Sequence, residues 1–125
     1  MKNTSATGQL GEDLACEYLK EGGYKVIDRN FRKPWGELDI IAKSKGGVLV
    51  FVEVKTIRQY GNAAIEIVPE DNLTSAKLKK LQRTAQMFVG KHPELINDDR
   101  GWQIDLIAIT LLDDAEPKIT HYENI

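Results

Sequence analysis

The sequence predicts an α/β fold, a mixed sheet of four to five strands flanked by helices. Three observations predict it. Val48–Lys55 is apolar on both alternating sets of positions: Val48, Val50, Val52 and Val54 on one side, Leu49 and Phe51 on the other. It therefore reads as a central strand covered on both faces. Trp102–Leu112 is a second, longer apolar strand, and two further segments carry apolar residues at helical spacing instead.

The first helix spans Gly8–Glu21. Leu10, Leu14 and Tyr18, with Gly11, Ala15 and Leu19, fill about half the wheel, and Gly22-Gly23 end it. Glu12 lies at the edge of that apolar arc, the one acid in the helix positioned to look inward. A short strand, Tyr24–Asp28, leads into a basic connector, Arg29–Gly36. The second strand is Glu37–Lys43, Ser44–Gly47 is a turn, and Val48–Lys55 returns as the hairpin partner. Thr56–Leu73 is irregular, with a short extended piece at Ala63–Val68. The second helix, Ser75–Val89, has Thr74 or Ser75 as N-cap and a stripe of Leu78, Leu81, Ala85 and Phe88. Trp102–Leu112 and an edge strand, Lys118–Tyr122, complete the sheet.

At 125 residues, 42% hydrophobic and 29% charged, the chain is expected to form one domain over 1–125, with 1–6 frayed. A single cysteine, Cys16, excludes a disulfide framework and a multi-cysteine zinc site. No apolar run approaches the ~18 residues of a membrane span, and the N-terminal residues lack the apolar stretch of a signal peptide, so a cytoplasmic location is expected. A net charge of −2 and a pI near 5.7 exclude a protein that coats nucleic acid by bulk charge. The charge is uneven, though. Between Thr74 and Lys91 there are five basic residues, Lys77, Lys79, Lys80, Arg83 and Lys91, and no acid, whereas Asp98, Asp99, Asp113, Asp114 and Glu116 cluster later.

The two hairpin strands carry misplaced charge. Glu53 and Lys55 share a face with Leu49 and Phe51, and Glu37 and Asp39 share one with Ile41. In a register whose paired numbers sum to 92, Asp39 stands opposite Glu53 and Glu37 opposite Lys55. Opposed residues lie roughly 4.5–5.5 Å apart at Cβ, so the two carboxylates repel unless a cation lies between them. Two carboxylates and an amine on one face suit Mg²⁺- or Mn²⁺-assisted phosphodiester hydrolysis. Asp39 and Glu53 hold the metal, Lys55 orients water and neutralises charge, and Glu12 completes the acidic pocket. From spacing alone a second reading stays open: a solvated strand end with a Glu37–Lys55 salt bridge.

An aspartate followed, on the next strand, by Glu53-Val54-Lys55 resembles the PD-(D/E)xK nuclease signature, with Leu38-Asp39 where the name has Pro-Asp. The ordered blocks GQLGEDLACEYL, GYKVIDRNFR, GELDIIA, VFVEVKT, WQIDLIAI and ITHYENI resemble the bacterial YraN-like family across most of the chain. That resemblance implies a restriction-endonuclease-like fold similar to archaeal Holliday-junction resolvases. It implies a metal-dependent endonuclease acting on DNA, branched or single-stranded, with a homodimer by analogy to resolvases that cut two strands. It also raises Glu12 to a site residue.

Glu37 reads as a partner that steadies a ligand rather than a ligand itself. Arg29, Arg32 and Lys33, beside Trp35, and Lys77 and Lys80 on the second helix are candidate nucleic-acid contacts. The alternatives are a solvated helix face, and a connector whose Phe31 and Trp35 close the core. The rival function is a nucleic-acid-binding or adaptor module that keeps the fold without cleaving; a structural subunit docking an acidic protein is a third. His92 and His121 are assigned no role, and Asp105, odd in an apolar strand, is expected to pair with a basic side chain or a backbone donor.

Overall fold

A computed structural model describes residues 6–59, 73–97 and 99–125. The extended piece expected at 63–68, residue 98 and the first five residues lie outside the described residues.

Helix α1 spans Ala6–Glu21 and turns back through a glycine in left-handed backbone, Gly23 at φ 88°. The Tyr24 amide bonds the Leu19 carbonyl and the Gly23 amide the Lys20 carbonyl, a Schellman closure that the Gly-Gly pair permits. Strands β1 (Lys25–Lys33), β2 (Gly36–Lys43) and β3 (Leu49–Gln59) follow, then helix α2 (Ser75–Lys91), β4 (Trp102–Leu112) and β5 (Lys118–Tyr122). The sheet order is β1-β2-β3-β4-β5. All neighbours are antiparallel except β3 and β4, which run parallel. The mixed sheet flanked by helices is thus the fold the sequence predicts.

Alternation along β3 divides the core. Val50, Val52 and Val54 pack with Ala15, Cys16 and Leu19 of α1, while Leu49 and Phe51 pack with Ala85 and Phe88 of α2. Each helix therefore covers one face of a central strand. Phe88 stands edge-on to both Phe31 and Phe51, so Phe31 closes the core on the α2 side. Trp35 lies outside it against Phe31, beneath the Lys91 ammonium.

Three expectations need correction. The connector beginning at Arg29 is strand as far as Lys33, because β2 offers it partners up to Gly36 across a two-residue turn at Pro34-Trp35. Likewise β3 continues past Lys55 to Gln59, since apolar β4 pairs with it residue for residue out to Leu112. Leu10, placed in the apolar arc of α1, is 43% exposed, and Glu12 takes the buried side instead.

Two close approaches set where the helices meet the sheet. A Cβ at Gly11 would come within 1.8 Å of the Thr56 hydroxyl, and one at Gly36 within 2.1 Å of the Thr84 hydroxyl. Only glycine fits either place. Gly11 brings α1 onto β3 one residue before Glu12, and Gly36 brings α2 onto the start of β2. Among the described residues, no helix is long and apolar enough to cross a membrane.

Candidate functional site

The β2–β3 hairpin holds the expected register over four pairs, from Lys43↔Leu49 to Ile40↔Val52. There the pairing ends. Asp39 opposite Glu53, and Glu37 opposite Lys55, would have been the next pairs on that face, and the strands part before them. The Asp39 carboxylate enters the opening: its Oδ2 accepts the Val54 amide at 3.0 Å, a side chain doing what a ladder carbonyl would do.

The other neighbour of β2 is irregular at the same level. Asn30 sits in left-handed backbone at φ 52°, between the pairs Arg29↔Ile40 and Phe31↔Leu38, at the place the register sets against Asp39. Asparagine tolerates that conformation, and the Arg32 guanidinium bonds its side-chain oxygen at 3.2 Å. Strict alternation fails here. Alternation alone would set Leu38 beside Ile40 and Ala42, but Leu38 packs with Ile41, Leu49 and Phe51.

The residues around this opening line one cleft of about 1060 Å³. Glu12 from α1, Asp39 from β2 and Glu53 and Lys55 from β3 all contribute to its wall. Glu12 and Asp39 are each only 4% exposed, whereas Glu53 and Lys55 are half-buried. The deep acids and the shallower Glu-x-Lys pair thus share one cleft wall from three elements. Arg32, Lys33 and Glu37 line the cleft from the β1–β2 turn, and Lys77 and Lys80 line it from the first turns of α2. Thr74 caps that helix by accepting the Lys77 amide at 3.2 Å.

Two predicted residues have other occupations. Arg29 does not line the cleft; its guanidinium holds Asp13 of α1 at 2.7 Å, tying the helix to β1, and keeps the Asp13 carboxyl below the usual range. Glu37 stands opposite Arg32 in the β1–β2 ladder and pairs with it at 3.7 Å, rather than taking Lys55 as its cross-strand neighbour.

A second cluster was not foreseen as a unit. Asp105 is fully buried, as its apolar strand dictates, and it has the partners expected of a buried acid. His121 Nε2 lies 2.7 Å from Oδ2, while Oδ1 accepts the Gln103 side-chain amide at 2.8 Å and the Asn124 backbone amide at 2.9 Å. Burial pushes this carboxyl up, but the His121, Asn124 and Gln103 contacts outweigh it and hold it below the ordinary value. Ligand atoms of Asp105, His121 and Glu123 all lie within 4.8 Å of one another, so these residues could hold a metal ion. His121 carried no signal in the sequence. Its partner is sixteen residues away, and only the β4–β5 register brings the two together.

Fold and site define an α/β sandwich with three acids and a lysine converging in one cleft, edged by four further cations. The chain belongs to the uncharacterised protein family UPF0102, the YraN-like family, which matches residues 11–109. It is similar to a UPF0102 protein of Trichlorobacter lovleyi, 37% identical across 98% of this chain and 91% of that protein. A UPF0102 protein of Geobacter sulfurreducens is 41% identical across 94% of this chain and 85% of its own. One of Rhodococcus opacus is 37% identical across 97% and 96%.

Proposed function

We propose that this protein is a metal-dependent DNA endonuclease of the PD-(D/E)xK type, hydrolysing phosphodiester bonds in branched or single-stranded DNA. The observation that carries this reading is the convergence of Glu12, Asp39, Glu53 and Lys55 on one cleft wall, with Arg32, Lys33, Lys77 and Lys80 beside them.

The donor set fits a hard cation. Asp39 and Glu53 offer carboxylate oxygens, and the Val54 amide fixes the Asp39 carboxylate at the opening between the strands. Asp39 and Glu53 would hold Mg²⁺ or Mn²⁺, with Glu12 adding charge from α1. When bound, the ion polarises the scissile phosphate and lowers the pKa of the attacking water. Lys55, two residues from Glu53, orients that water and neutralises the charge that develops on the phosphoryl oxygens. Arg32, Lys33, Lys77 and Lys80 hold flanking phosphates, and Arg32 is steadied by Glu37. A homodimer would set two such clefts on the two strands of a branched substrate.

Incubation with branched, single-stranded and duplex DNA, with and without Mn²⁺, tests the proposal. Metal-dependent cleavage that falls about 100-fold or more in Lys55→Ala is expected. Binding that weakens steeply with salt, without cleavage in any condition, would instead indicate the non-catalytic binding module.

A further inference from the structure

We propose that Asp105, His121 and Glu123 form a second metal site, separate from the cleft, selective for a first-row transition ion such as Zn²⁺ over Mg²⁺.

Two of the three ligands, Asp105 and His121, are held by partners. Asp105 commits Oδ1 to the Gln103 and Asn124 amides, leaving Oδ2 as the oxygen turned toward His121. The remaining ring nitrogen of His121, Nδ1, lies 3.1 Å from the Tyr18 hydroxyl. This is the outer architecture of metal sites, where a ligating imidazole donates its second N–H and ligating carboxylates are themselves hydrogen-bonded. Tyr24 and Glu123 line the same cavity.

Exposure is graded along the group. Asp105 is sealed, His121 keeps one-tenth of its side-chain surface and Glu123 is exposed. The group opens on a cavity of about 490 Å³ lined by Tyr18, Glu21, Gly22, Tyr24, His121 and Glu123. That cavity gives an ion a way in and leaves room for a further ligand. The 2.7 Å contact between His121 Nε2 and Asp105 Oδ2 holds the two ligand atoms close. Coordination replaces that hydrogen bond by two bonds to the metal and turns Nδ1 into a donor to Tyr18. One imidazole among two carboxylates sets the selectivity, because nitrogen ligands favour Zn²⁺ and its neighbours while Mg²⁺ prefers oxygen alone. None of these residues lines the acidic cleft.

The test is a Zn²⁺ titration followed by the imidazole proton resonances, assisted by there being only two histidines. Asp39→Asn/Glu53→Gln protein removes the cleft as a competing site. The expected result is that His121 signals shift and saturate at one equivalent of Zn²⁺, His92 signals stay in place, and Mg²⁺ in large excess moves neither. Glu123→Gln, at an exposed position that does not endanger folding, should weaken Zn²⁺ binding at least about tenfold. His121 signals that ignore Zn²⁺, or equal affinity in Glu123→Gln, would overturn the proposal.

Discussion

At the scale of the residue, burial decides which groups are chemically available. Cys16 is 4% exposed between α1 and the sheet, and burial pushes its thiol up from the ordinary value. A raised thiol pKa means less thiolate at neutral pH than a free cysteine carries, and thiolate is the reactive form. Native protein should therefore react with iodoacetamide at least about 100-fold more slowly than protein unfolded in urea. The native rate should climb only as pH rises beyond the usual thiol range of about 8.5. Equal rates in the two states would contradict the packing of α1. Asp39 shows the opposite use of burial. It is as deeply placed as Cys16, but its carboxylate replaces a missing backbone partner and so is fixed at the point where two strands part.

At the scale of the element, α2 separates its two jobs by face. Ala85 and Phe88 are buried against β2 and β3, Leu78 and Leu81 pack beside them, and Lys77 and Lys80 turn toward the cleft. If those lysines hold phosphates, Lys77→Ala and Lys80→Ala should each weaken DNA binding and each reduce the slope of log K against log salt by about one. Lys79→Ala, on the same helix but outside the cleft lining, should leave the slope unchanged. Binding measured by fluorescence anisotropy across a salt series checks this. Equal effects from all three lysines would mean that the helix acts only through its general charge.

At the scale of the whole molecule, most of the architecture was legible and the site only in outline. An apolar run located β4 and an apolar stripe located α2, because such a strand or stripe in water has few other places to go. Polar ends were not legible. Residues Arg29–Lys33 and Thr56–Gln59 become strand because a neighbour supplies hydrogen bonds, a fact absent from their own composition. The hairpin register was readable from Lys43↔Leu49 to Ile40↔Val52, yet where the ladder opens depends on Asn30 and the Val54 amide, and alternation carries no sign of either. Asp105 stood out as a buried acid, while His121, exposed to no periodic rule, became visible only through pairing in three dimensions.

The proposed nuclease chemistry requires Glu12, Asp39 and Glu53 of the cleft to act together on one cation. The most direct measurement is the rate of DNA cleavage against Mn²⁺ concentration for wild-type protein and Glu53→Gln, a change of charge at nearly constant shape. Glu53→Gln should need more Mn²⁺ for its half-maximal rate and lose about 100-fold or more at saturation. Superimposable curves from two equally folded proteins would contradict it.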